Sequence, residues 1–204
     1  MSLENSNIDE PITLTFLDNL RSKTSASHKN LEALPISRSI VNPKITIEEY
    51  ALYLSLMHDV VRNLEEGIYP ILSDAIPDLS ERKKAQLILN DLKFTKSEKR
   101  QDHSPFDAAE ISVPFAMGIM YVVEGSTLGG RFIIKNIQES FGFDEENGAS
   151  YFGGYGNKTG SYWKKFLNAL TDFETRNNAG EEIIAGADYA FKAIHKHLSE
   201  NAAS

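Results

Sequence analysis

Two short stretches of this chain carry residue types that could do chemistry. The first is His28 with Glu32 four positions later. On a helix these share a face. A carboxylate so placed can accept a hydrogen bond from one ring nitrogen, leaving the other free to bind a metal. The second is Gly125-Ser126-Thr127-Leu128-Gly129-Gly130, set inside an apolar, helical run over residues 114–137. Each glycine in a helix interior is about 1 kcal/mol less favourable than alanine, so three in six positions need an offsetting role. Gly125 sits one turn from Gly129, and Ser126 one turn from Gly130, giving two adjacent stripes with almost no side chain. Such a surface lets backbone lie against something flat, or lets the helix bend over it. The same spacings have plainer readings: a satisfied core histidine, a solvated carboxylate, and close helix–helix packing.

Other polar residues could complete such a site. Arg21 precedes His28 by two turns, Tyr121 precedes Gly125 by one, and Lys164 and Lys165 follow Trp163. Together they could hold carboxylates at the edge of a ligand between helices; singly, each is an ordinary surface charge or buried phenol. His58, His103, His195 and His197 form no H-E-x-x-H or zinc-type spacing.

The elements that position these residues read as helices throughout. A frayed tail is expected over residues 1–12 and one domain over residues 13–200. A first helix spans about 13–34, with Leu17, Leu20, Thr24, His28 and Leu31 at spacings of three and four. Thr46 and Glu49 make a capping-box pattern for a helix running to about Tyr69 and stopping near Pro70. A shorter helix follows near residues 80–92, then an exposed polar loop over 95–104. The glycine-bearing helix begins near Ala108 or Ser112, with Pro114 in its first turn. A glycine-rich connection over 142–158 leads to a helix that Thr159 caps and residues 177–180 end. A last helix spans about 181–199. No segment sustains period-two alternation, so the fold class is all-α, a single-domain compact helical bundle.

Composition narrows the function. With 204 residues, 41% hydrophobic and 25% charged, the chain can bury one sizeable core. A net charge of -8 speaks against nucleic acid or an anionic membrane as partner. The chain has no cysteine, which removes disulfides, thiolate metal ligands, thiolate-ligated heme and cysteine nucleophiles. An N-terminus unlike a signal peptide and a C-terminus without a lipidation signal lead to the expectation of a cytoplasmic protein. No G-x-G-x-x-G follows a strand, so no flavin or nicotinamide site of its own is expected.

Taken together, residues 20–32, residues 121–130, and residues 151–156 with Thr159 and Trp163 resemble the heme oxygenases, especially the bacterial type associated with bacteriophytochromes. The resemblance runs from about residue 14 to 199. It implies that His28 is the axial heme ligand with Glu32 in support. It implies that Gly125, Ser126, Gly129 and Gly130 belong to the distal helix over the heme, and that Arg21, Tyr121 and Lys164 meet the propionates. Ser126 stands where animal members carry an aspartate that organises distal water. The resemblance implies oxidative cleavage of heme to biliverdin, CO and Fe²⁺ with O₂. Electrons would come from an external reductase or ferredoxin, and a bacteriophytochrome would be a bilin recipient. A non-catalytic heme carrier on the same fold is the alternative; His58, Met117 or Met120 would then be a second axial ligand. Thiaminase-like relatives need a cysteine that is absent. A di-iron site fails because Lys192 stands where a ligand is needed after Glu181 and Asp188.

Overall fold

Thr15 opens the first helix with a capping box: its hydroxyl accepts from the Asp18 amide, and Asp18 answers to the Thr15 amide. The computed structural model describes residues 15–202. The tail expected over 1–12, and the start of the domain at residue 13, lie outside the described residues. Helix α1 (Phe16–Ala33) ends where Leu34, forced into an extended conformation before Pro35, leaves the helix. A short α2 (Pro35–Ser39) follows. Thr46 and Glu49 form the second capping box, at the start of α3 (Ile47–Asn63). The helical path continues towards Pro70 as predicted. It first widens into a π-helical turn, Leu64–Ile68, and then tightens into a 3₁₀ turn, Tyr69–Leu72.

Helix α4 (Ala85–Phe94) comes next, preceded by a 3₁₀ turn at Leu79–Arg82. Ser112 caps α5 (Val113–Ser126), which carries Pro114 in its first turn. The glycine-bearing helix does not run unbroken. A 3₁₀ turn, Thr127–Gly129, separates α5 from α6 (Gly130–Phe141). The connection after α6 holds a short α7 (Ser150–Gly153) and a 3₁₀ turn, Gly156–Lys158. Thr159 is the first residue of α8 (Thr159–Asn177) rather than its cap, and Asn178 ends that helix in the left-handed region. Helix α9 (Gly180–Asn201) closes the described chain, and no β-strand occurs among the described residues.

The bundle is organised around α9. Both α1 and α5 make their main contacts to it rather than to one another. Along α1 the contacts are polar at the edge: Lys23 pairs with Glu181 at 2.8 Å, and the Ser27 hydroxyl donates to Asp188 at 2.5 Å. Along α5 the backbones touch. A Cβ added at Gly118 would lie 2.1 Å from the Ile183 carbonyl oxygen, and one at Gly186 would lie 2.1 Å from that of Phe115. Two glycines, one on each helix, let the axes approach more closely than side chains permit.

The polar stretch over 95–104 is less exposed than its composition suggests. Asp59 on α3 is buried, and its charge needs partners inside the fold. Lys99 supplies one at 2.9 Å and His197 on α9 another at 3.3 Å, while Arg62 donates to the His103 carbonyl. The loop is drawn inward by the carboxylate it neutralises.

Because the α5–α9 contact is backbone on backbone, no rotamer change can relieve an added methyl at Gly186. Gly186→Ala should lose roughly 1–3 kcal/mol of stability, read as a fall in Tm by calorimetry. An unchanged Tm would mean the helices are not held at this distance.

Candidate functional site

The α1 wall. Of the residues of α1, only Leu20 and Thr24 are fully buried. His28, expected on the apolar face, lies at its edge with a side chain 54% exposed. Its ring stacks on Phe191 of α9 at 5.1 Å between centroids. Nε2 lies 3.2 Å from Glu32 Oε1, so one ring nitrogen has an acceptor and the other has no polar partner among the described residues; a half-turn of the ring exchanges the two. The segment bearing His28 is pinned next door, where Asp188 takes the Ser27 hydroxyl and the Lys192 ammonium at 2.6 Å. Burial pushes the Asp188 carboxyl up, but those two partners outweigh it and hold it below its ordinary value. Further up α1, Arg21 is exposed, and its charge acts on the Tyr121 hydroxyl of α5. Burial raises the Tyr121 phenol and Arg21 partly offsets it.

The α5 wall. Ser126 and Thr127 turn their hydroxyls back onto the carbonyls of Val123 and Glu124, both at 2.7 Å. Such back-bonding competes with the helix ladder, and here it accompanies the change to a 3₁₀ turn. The four small residues therefore do not share one bare face. At Gly130 a Cβ would lie 2.1 Å from the Phe152 carbonyl oxygen, so this glycine serves close packing on α7. At Gly125 it would meet the Trp163 indole at 3.3 Å, and at Gly129 it would meet nothing within 4 Å. Ser126 is exposed. With Tyr53, Thr127, Gly130 and Tyr151 it lines a recess of about 30 Å³, roomy and polar enough for a water.

Trp163 joins these parts. Its ring lies 5.5 Å from Tyr121 and 5.8 Å from Phe166. The chain Arg21–Tyr121–Trp163–Gly125 is thus continuous. Lys164 is exposed beside Trp163 and makes no hydrogen bond or ion pair to a described residue, whereas Lys165 pairs with Asp78 at 2.9 Å.

Sequence reasoning missed three contributors. Phe191 looked like any apolar residue of a last helix, and Tyr53 like any core aromatic. Arg82 was invisible, yet it answers a signal that was present: Glu124, a lone carboxylate in an apolar run, is buried and needs a cation.

Two competing sites are accounted for by their partners. His58, Asp59 and Asp102 bring ligand-type atoms within 4.8 Å of one another. Lys99 already sits there, 2.9 Å from Asp59 and 3.4 Å from Asp102. Burial holds His58 below its ordinary value, and the charges that act on it are those of Lys99, Asp59, Asp102 and Arg62 rather than any on the α5 turn. The carboxylates of Glu181 and Asp188 are engaged by Lys23 and Lys192.

The comparisons with known proteins agree with one another. The family model described as heme oxygenase matches residues 14–200. The structure resembles that of the NO- and CO-bound heme oxygenase from Neisseria meningitidis, with 28% identity, a TM-score of 0.73, and coverage of 93% of this chain and 92% of that one. The heme oxygenase from Leptospira interrogans is 19% identical with a TM-score of 0.76, covering 92% of this chain and 100% of that one. Heme oxygenase-1 from the cyanobacterium Synechocystis, in complex with heme, is 18% identical with a TM-score of 0.73 and covers 92% of each. These last two show a shared fold. No curated protein matches the chain.

Gly129 has right-handed dihedrals, φ -77° and ψ -14°, and open space where a methyl would go. Gly129→Ala should therefore keep or raise stability, by up to about 1 kcal/mol, as seen in thermal unfolding. A clear loss would give Gly129 a packing role instead.

Proposed function

Since the chain belongs to the heme oxygenase family, we propose that it cleaves heme oxidatively to biliverdin, CO and Fe²⁺. It would use O₂ and electrons from an external reductase or ferredoxin. The observation that carries this reading is the pair of walls set on α9. One offers an exposed imidazole backed by Glu32, and the other offers bare backbone at Gly129.

The residues present suit a heme. A neutral nitrogen ligand, a cation at Arg21, a second at Lys164 and a phenol at Tyr121 match an iron porphyrin with two carboxylates. Bound heme supplies the iron at which O₂ is activated, and it is itself the ring that opens. His28 would ligate through the nitrogen that Glu32 leaves free, with Glu32 fixing tautomer and ring orientation. Arg21, Tyr121 and Lys164 would meet the propionates and so fix rotation in the ring plane, which decides the carbon presented for attack. Gly125 and Gly129 would keep side chains away from the iron. The recess at Ser126 and Tyr151 would hold ordered water in place of the aspartate found in animal members. Trp163 covers Gly125, so a ligand lying along the turn would pack against the edge of the indole.

The product would pass to a bilin acceptor such as a bacteriophytochrome. No helix among the described residues is long and apolar enough to cross a membrane, and the proposed setting is the cytoplasm.

Hemin with ascorbate separates an oxygenase from a carrier: the first loses its Soret band and releases bilin, the second keeps the band. Glu32→Ala should weaken hemin binding about 10–100-fold; an unchanged affinity would remove Glu32 from its supporting role. Trp163 is the chain's one tryptophan. Its fluorescence should be quenched in step with hemin binding, and a saturable heme spectrum without quenching would place the ligand elsewhere.

A further inference from the structure

Arg82 is the largest fully buried side chain among the described residues. It precedes α4, far in sequence from both walls of the site. Its Nε and Nη2 donate to Asp78 at 2.8 and 3.1 Å, and its Nη1 donates to Glu124 at 2.5 Å. Nη2 also donates to the backbone carbonyl of Tyr162 at 3.2 Å. Glu124 is 2% exposed and takes a second donor, the Tyr155 hydroxyl, at 2.7 Å. That hydroxyl accepts from Lys84 at 2.5 Å, and the Tyr155 ring stacks on Tyr162 at 4.1 Å, with 4° between the planes. Burial holds Lys84 down at about 8.

Neighbours in sequence give these contacts their meaning. Glu124 directly precedes Gly125, and Tyr162 directly precedes Trp163. Gly125 and Trp163 are the two surfaces that meet. A single guanidinium thus grips the residue before each of them. A well-packed apolar cluster would hold these segments together at least as stably, because buried ion pairs gain little over apolar packing. Directional bonds to a fixed fork differ in setting a register. Every cation in this cluster already faces a carboxylate, carbonyl or phenol, so the cluster offers no charge to a ligand.

We propose that the Arg82–Glu124 pair is a positioning device that sets the gap between the Gly125 backbone and the Trp163 indole, and through it the access of a flat tetrapyrrole to the glycine turn. Only the last clause rests on the proposed heme cleavage. The gap itself can be read without heme, because Trp163 reports its own surroundings.

The test compares wild type with Glu124→Ala, Glu124→Gln and Arg82→Lys, all as full chains. Circular dichroism, thermal unfolding, and Trp163 emission with acrylamide quenching are measured at low temperature before any hemin is added. Glu124→Ala should lower Tm by roughly 6–20 °C. While still folded, it should shift Trp163 emission to the red and raise the quenching constant by about twofold or more, as expected of a loosened local contact. Glu124→Gln keeps an acceptor for Arg82 and a partner for Tyr155, so its emission and quenching should return to the wild-type values even if Tm does not. Arg82→Lys cannot bridge Glu124 and the Tyr162 carbonyl together, and it should free Trp163 as Glu124→Ala does. Hemin affinity should fall with the indole's release, by about tenfold. Wild-type emission and quenching in folded Glu124→Ala, or in Arg82→Lys where the alanine variant does not fold, would overturn the proposal. If wild type itself binds no hemin, the heme oxygenase reading falls, while the heme-free comparison still decides the role of the pair.

Discussion

The contact on which this structure depends is the crossing of α5 and α9 at Gly118 and Gly186. Carbonyl oxygens of each helix occupy the space where the other would carry a methyl group. This fixes α5 to the helix that also carries α1, so both walls of the candidate site are referred to one rigid element. Phe191, on that same helix, then backs the His28 ring. The glycines at the crossing and the glycine at the open turn do opposite jobs. Gly118 and Gly186 admit neighbouring backbone, while Gly129 leaves room that no described residue takes up.

The second constraint is charge in the interior. Asp59 and Glu124 are each almost fully buried on core helices, and a buried carboxylate must be met by cations and donors. Asp59 recruits Lys99 and His197 and thereby shapes the loop after α4. Glu124 recruits Arg82 and Tyr155 and thereby links α5 to the turn before α4 and to the connection ahead of α8. Burial pushes the Asp59 carboxyl up, yet its contacts with His197 and Lys99 outweigh that and leave it below its ordinary value. Stability from such a group is present above the unfolded pKa and is lost as pH falls through the folded one, so the loop tether fails only in strong acid.

Helix positions were legible in the sequence where local chemistry sets them. The capping box at Thr46 and Glu49, the helix start at Ser112 ahead of Pro114, and the stop at residues 177–180 lie where short-range patterns put them, whereas the capping box at Thr15 was not read from the sequence. The break after Ser126 was only half visible: glycines announced a bend, but the back-bonded hydroxyls that accompany it act through geometry, not composition. The same limit applies at the site. His28 and Glu32 are legible because their spacing alone makes them neighbours. That Gly130 packs on Phe152, that Trp163 lies on Gly125, and that Arg82 reaches Glu124 all depend on contacts between residues more than 20 positions apart. No periodicity within one helix reports such contacts.

A crystal of the ferric heme complex, with the iron located by anomalous scattering, would decide where the ring sits. Iron bonded to a ring nitrogen of His28, with the backbone of Gly125 and Gly129 across the opposite face of the porphyrin, is the expected result. Iron held by His58, His103, His195 or His197, or a porphyrin lying away from the turn between α5 and α6, would contradict it.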